Sequence, residues 1–290
     1  MAATFLSRDS TIAPADYNRF LVPPAALAVH LSIGQVYAFS VFNIPLTKVI
    51  GITHSAPVGA DGVGDWTSKE VVIIFSIAIA ILGTAAALFG RWVERVGPRK
   101  SMFVAALCFT GGFIVSAIGV HYHWLLLLYL GYGVLGGCGL GIGYISPVST
   151  LIKWFPDRPG MATGIAIMGF GGGALIASPL SVLLMDHFKT PTSNGVLETF
   201  VTMGVIYFMF MMIGVYAARV PPDGWKPAGW TPPATPPRLV TRAQVAVEVA
   251  WKTPQFWLLW VVLCMNVTAG IAVISQASPM IQEKIGRAHV

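Results

Sequence analysis

Charge is what this sequence has least of. Among 290 residues only 18 are Lys or Arg and 12 are Asp or Glu, 10% in all, against roughly 25% in a soluble globular domain. So few charges cannot cover a soluble surface of this size, and a disordered chain could not carry 55% hydrophobic residues. Cysteine is scarce as well. Cys108, Cys138 and Cys264 all lie in apolar stretches, which excludes a disulfide framework, and no CxxC, Cys/His spacing or HExxH offers ligands to a metal. No metal or cofactor is therefore expected, and no enzymatic step. Period-two alternation is also missing, which excludes the strands of a membrane β-barrel. What remains is an all-α polytopic membrane protein, whose lipid-facing surface needs no polar cover.

Crossing about 30 Å of hydrocarbon takes roughly 20 helical residues. Seven windows free of Asp, Glu, Lys and Arg meet that length: Ala25 to Leu46, Val71 to Gly90, Ser101 to Val120, Leu125 to Ile152, Met161 to Met185, Phe200 to Ala218, and Gln255 to Ala277. The first is too long, and too far from the start, for a cleaved signal peptide, so it reads as a retained helix.

The basic residues behind the formal net charge of +6 are unevenly placed. Thirteen of them, Arg8, Arg19, Arg91, Arg95, Arg99, Lys100, Lys153, Arg158, Arg219, Lys226, Arg238, Arg242 and Lys252, occupy the amino-terminal tail and every second connection. The opposite connections hold Lys48, Lys69 and Lys189 beside Asp61, Asp65, Glu70, Asp186 and Glu198. Positive residues are retained on the cytoplasmic side, so a cytoplasmic amino terminus in the inner (plasma) membrane is expected. The same placement removes nucleic acid as a partner and leaves the lipid bilayer as the neighbour of these charges. Residues 1–24 then form a cytoplasmic tail, 25–218 a six-helix bundle, 219–254 a Pro-rich cytoplasmic linker, and 255–284 a seventh helix opening a second half. Pro221, Pro222, Pro227, Pro232, Pro233, Pro236 and Pro237 make the linker stiff and extended, with a short surface helix expected over Thr241 to Val249.

Between the second and third windows stands Gly90-Arg91-Trp92-Val93-Glu94-Arg95-Val96-Gly97-Pro98-Arg99-Lys100. This resembles the loop motif of the major facilitator superfamily, with Glu94 where an Asp is usual and Pro98 where a basic residue is common. The glycines permit a tight turn, and the acid can pair with basic residues or a helix end. The resemblance implies that Gly90, Glu94, Arg95, Gly97, Arg99 and Lys100 form a gating loop that braces a neighbouring helix in one conformation. The fourth window is rich in glycine, and Gly136, Gly139 and Gly143 share a face, as small residues do at close helix crossings. Gly164 and Gly171 repeat the theme in the fifth. No βαβ context supports a dinucleotide site.

Four further segments narrow the resemblance. They are Gly34-Gln35-Val36-Tyr37-Ala38-Phe39-Ser40-Val41-Phe42, Gly143-Tyr144-Ile145-Ser146-Pro147, Lys153-Trp154-Phe155-Pro156-Asp157-Arg158-Pro159-Gly160 and Thr253-Pro254-Gln255-Phe256-Trp257. Together they resemble the oxalate/formate antiporter family of that superfamily. This implies a helical bundle with alternating access around a central cavity, and secondary transport of small carboxylates such as oxalate, formate or lactate. Exchange and proton-coupled transport are both open, with protons as coupling ion in the second case. A transporter of a different small solute, or a non-transporting membrane sensor or scaffold, are the alternatives.

Such a site lies near the bilayer midplane among the few polar groups inside helices. Matching the family's pattern, Gln35, Tyr37 and Tyr144 are candidates to line it, with Asn266 on the seventh helix. Gln35 can donate through its amide, and the tyrosines offer hydroxyls and ring walls. Gln35 and Tyr37 are about 200° apart on a regular helix, so sharing a cavity requires a distortion near Gly34. His30 reads as a packed, neutral histidine rather than a proton relay. None of the seven windows contains Lys or Arg. A carboxylate desolvated at the midplane needs a cation, which family members supply from their second half. Twelve helices require on the order of 400 residues, so the sequence is expected to be the product of a truncated gene model. The last six residues, Ile285 to Val290, match a sequencing-adapter read-through and are expected to be a non-native tail.

Overall fold

The computed structural model describes residues 5–14, 16–59, 63–231 and 245–288. Seven helices are long and apolar enough to cross a membrane: α1 (Arg19–Leu46), α2 (Ser68–Val96), α3 (Pro98–His121), α4 (Leu125–Trp154), α5 (Pro159–Phe188), α6 (Val196–Ala217) and α7 (Pro254–Ile274). A shorter helix, α8 (Ala277–Ala288), follows. Among the described residues β-structure is confined to two isolated bridges, Ile12 with Val220 and Thr190 with Ser193. The chain is an all-α helical bundle.

Most helices outrun their apolar windows. α2 continues through Arg91, Glu94 and Arg95, because a helix already satisfied internally can extend into the headgroup layer while its charged ends meet water. Its start is set by a capping box in which Thr67 and Glu70 each accept from the other's backbone N–H. Its end is set by Gly97, whose φ of +86° is open to glycine and strained for other residues, and Pro98 then starts α3. Pro159 and Pro254 start α5 and α7 in the same way. Of the linker, residues 232–244 lie outside the described residues, and with them Pro232, Pro233, Pro236, Pro237 and the first four residues of the expected surface helix. A single helical turn, Val247–Ala250, precedes α7.

Two spans depart from α geometry. In α1 the residues Gly34–Phe42 form a nine-residue 3₁₀ stretch, long for a conformation that is uncommon beyond three or four residues. In α4, Tyr129–Gly136 form a π-helical stretch. Both lie beside glycine-lined crossings. A Cβ on Gly34 would sit 2.0 Å from the Phe170 carbonyl oxygen, and one on Gly173 would sit 2.4 Å from that of Leu31, so α1 and α5 cross backbone on backbone. A Cβ on Gly112 would meet the Gly131 carbonyl at 2.7 Å and the Gly136 nitrogen at 2.8 Å, and one on Gly139 would meet the Phe109 nitrogen at 2.4 Å. Gly143 faces Ala105 and Ile33 at 3.3–3.5 Å. Gly164 and Gly171 meet nothing within 4 Å. The crossing edge of α5 is carried by Gly169 and Gly173 instead.

α1 is the central element and packs on α4, α5 and α6, while α3 packs on α4 and α6, and α2 on α4. The core is aromatic. Phe113 touches Phe109, Tyr132, Phe200 and Tyr207 at ring separations of 5.4–5.7 Å. Lipid is as apolar as these side chains, so close packing rather than expulsion from water holds the helices together.

The bundle end that carries most basic residues has its own cluster. Trp154 and Phe155 are fully buried with Leu151, Ala13 and Val22, and the Trp154 indole N–H donates to the Arg219 carbonyl at 2.8 Å. Arg19 binds both oxygens of Asp157 at 2.6 and 2.9 Å and lies over the Phe155 ring. The residues after α6 pair with the tail: Ala13 N–H donates to the Val220 carbonyl, and Val220 N–H to that of Thr11, both at 2.9 Å.

Gly34→Ala and Gly173→Ala are expected to lower the stability of the detergent-solubilised protein by at least about 1–3 kcal/mol through overpacking. Gly164→Ala should leave it unchanged or slightly raised; thermal melting of the three variants checks this. The hydrogen bonds from Arg19 hold the Asp157 carboxyl below the usual carboxylate range. The pair's stabilisation is therefore complete above the unfolded value of about 3.9 and is lost as pH falls through the lower folded value. Asp157→Asn should melt below the parent at pH 7, and the gap should close on acidification below about pH 4.

Candidate substrate cavity

A cavity of about 520 Å³ lies between the six-helix bundle and α7, within the range of small-molecule sites. Its bundle wall is Tyr37 of α1, Ile79, Leu82 and Gly83 of α2, Tyr144 of α4, and Ile167, Phe170 and Gly171 of α5. The facing wall is Trp260, Leu263, Cys264, Val267, Thr268 and Ile271 of α7. Among the described residues no Lys, Arg, His, Asp or Glu lines it.

Phe170 organises the bundle wall. Its ring meets Tyr37 edge-on at 4.9 Å and Tyr144 edge-on at 5.1 Å. It sits next to the α1–α5 crossing, so the approach allowed by Gly34 and Gly173 also sets the spacing of the two tyrosines. Neither tyrosine hydroxyl has a hydrogen-bond partner among the described residues, which leaves both available to a ligand. Behind Tyr144, fully buried His30 bonds through Nε2 to the Tyr144 carbonyl at 3.1 Å. A carbonyl only accepts, so this bond requires the Nε2–H tautomer and leaves Nδ1 unprotonated in the neutral ring. That nitrogen is buried without a partner.

Gln35 is turned the other way. It is fully buried, and its Oε1 accepts from the Tyr132 hydroxyl at 2.9 Å, while its Nε2 has no partner. The helix does distort at Gly34, but a 3₁₀ helix advances about 120° per residue, so Gln35 and Tyr37 still lie about 120° apart, against about 160° on a regular α-helix. Asn266 stands on an exposed face of α7 outside the cavity, whereas Thr268 and Cys264 line it. Phe170 escaped the sequence reading, which sought polar groups. Its signal is a lone aromatic among Gly169, Gly171, Gly172 and Gly173.

The loop between α2 and α3 places its residues in different surroundings. Glu94 bonds Ser149 and, at 2.5 Å, Lys153, linking α2 to α4. Arg99 is buried; it donates to the carbonyls of Phe5, Ser10 and Ala218 at 2.9–3.3 Å and lies over the Phe5 ring. Gly90 faces open space, and Arg95 and Lys100 are exposed. Arg91 pairs with Glu248 in the turn before α7.

Helix number, the charged α2–α3 loop and a cavity between bundle and seventh helix agree with the outcome of sequence comparison: residues 17–288 match the Major Facilitator Superfamily model. The chain belongs to that superfamily. Among curated superfamily relatives, the uncharacterized MFS-type transporter YhjX of Escherichia coli is 26% identical over 271 residues, covering 93% of this chain and 60% of the relative. The oxalate:formate antiporter of Oxalobacter formigenes is 25% identical over 262 residues, covering 90% and 54%. Human monocarboxylate transporter 11 is 31% identical over 124 residues, covering 43% and 26%. The chain thus spans a little over half the length of the first two.

Gln35→Leu should strand the Tyr132 hydroxyl and lower stability by about 1–3 kcal/mol, with part recovered when Tyr132→Phe is added.

Proposed function

We propose that the protein is a secondary transporter of small organic anions, working by alternating access as an exchanger or with proton coupling. The observation that carries this reading is the pair of unpartnered hydroxyls of Tyr37 and Tyr144, held on one wall of the cavity by Phe170. Two hydroxyl donors framed by aromatic rings suit a small carboxylate, and the similarity to an oxalate:formate antiporter and a monocarboxylate transporter supports the same class. The carboxylate's charge needs a cation, which this wall lacks. We assign that cation to the part of the relatives' length that this chain does not span. Six helices, linker and seventh helix correspond in this reading to one half and the start of the other. The basic bundle end faces the cytoplasm of the inner membrane, where Glu94 with Lys153, and Arg99 with the tail, brace one conformation.

The apolar majority of the lining favours a second reading, a less polar small solute handled by the same scaffold. Exchange of labelled oxalate, formate and lactate into proteoliposomes bearing the full-length protein separates the two. The expected result is uptake stimulated by internal carboxylate and reduced about tenfold or more by combined Tyr37→Phe and Tyr144→Phe, the loss of two hydrogen bonds to a charged group. If none of the three anions is carried and none competes, the carboxylate assignment fails.

A further inference from the structure

The charged residues of the α2–α3 loop fall into two sets. Glu94 and Arg99 are engaged inside the protein, on Lys153 and Ser149 and on the amino-terminal segment. Arg95 and Lys100 are not. With Arg8 they line a separate open basin of about 770 Å³ whose other walls are Phe5, Leu6, Ser7 and Val96. All three cations are exposed, and among the described residues none takes part in an ion pair. Among the described residues no acid lines the basin; the neighbouring Glu94 is bonded to Lys153, and the Arg8 charge also bears on it.

Depth and chemistry identify the occupant. Arg95 lies five residues beyond Gly90, the end of the apolar window of α2, or about 7.5 Å at 1.5 Å per residue. That places it at the outer edge of the headgroup layer, about 5–7.5 Å thick on each side of the hydrocarbon. Phe5 is 48% exposed and Tyr216, stacked on it at 6.1 Å, is 69% exposed, as aromatic residues are at the membrane interface. A soluble anion would use the three cations and leave Phe5, Leu6 and Val96 uncovered. A phosphodiester with acyl chains uses both.

We propose that this basin binds the headgroup of an anionic phospholipid, with Arg8, Arg95 and Lys100 on the phosphate and Phe5, Leu6 and Val96 against the upper acyl chains. Bound lipid joins the amino-terminal segment to the α2–α3 joint from outside, as Arg99 joins them from inside. The inference rests on the membrane-spanning fold and is independent of the transported solute.

Native mass spectrometry and thermal melting of the delipidated protein, titrated with phosphatidylglycerol or phosphatidylcholine, test it. Phosphatidylglycerol should bind about tenfold more tightly than phosphatidylcholine and raise the melting temperature, and 1 M NaCl should abolish that preference while leaving phosphatidylcholine binding unchanged. Arg95→Gln combined with Lys100→Gln should remove the preference, and Arg8→Lys with Arg95→Lys should keep it. Equal binding of the two lipids by the parent protein, or an undiminished preference in the folded double Gln variant, overturns the proposal. So does millimolar inorganic phosphate reproducing the melting shift without lipid, which would make the basin a site for soluble anions. If the Gln variant does not fold, the lipid and salt comparison on the parent protein decides.

Discussion

At Gly34 and Gly173 the backbones of α1 and α5 touch, with no room for a side chain on either helix. In a bilayer nothing apolar is gained by moving a side chain from lipid to protein, so contact area at short range is what binds helices, and two glycines allow the most. Much of the site follows from this crossing. It brings Phe170 up against Tyr37 and Tyr144. It also coincides with the start of the 3₁₀ stretch, in which Tyr37 faces the cavity and Gln35 bonds Tyr132. Tyr132 in turn belongs to the π-helical stretch of α4, so a tightened and a widened helix meet at one hydrogen bond between buried side chains. Stretches of either kind often mark hinges in helices.

The basic end of the bundle follows a different rule. Water and headgroups are at hand there, so charge and hydrogen bonding position the chain. Arg99 draws Phe5 and Ser10 against the end of α6, Arg19 ties α1 to the loop before α5, and the Trp154 indole fastens the carbonyl of Arg219. Residues 5–14, within the stretch expected as a cytoplasmic tail, pack on the bundle: Thr11 and Ala13 are buried, and a bridge joins Ile12 to Val220. Short polar segments of this kind carry no hydrophobic period, which is why their docking is not legible in advance.

Span number and approximate limits were legible, because about 20 residues without charge have few other uses in a folded protein. The observed helices run a few residues further at their charged ends. Close crossings at Gly136, Gly139 and Gly143 were legible in kind, since glycine clustering inside an apolar helix signals backbone approach. Which glycines meet a neighbour was not: Gly164 and Gly171 meet no described residue within 4 Å, while Gly34 and Gly173 leave no room for a side chain. The same limit applies to the cavity. Tyr37 and Tyr144 line it, Gln35 and Asn266 lie elsewhere, and Phe170, an apolar side chain, holds the wall together.

Sequence alone determined the class of solvent this protein lives in and the number of crossings, because those depend on the amount and spacing of apolar and charged residues along the chain, while the superfamily was legible only through the resemblance of its Gly90 to Lys100 loop. Tertiary structure alone decided which polar side chains face the cavity and which are consumed inside the bundle. A polar residue in an apolar helix must find a partner somewhere, and whether that partner is a neighbouring helix or a ligand depends on which face it occupies once the helices pack. At Gln35 the amide oxygen is taken up by Tyr132, because positions two apart fall on different faces in α and 3₁₀ geometry alike.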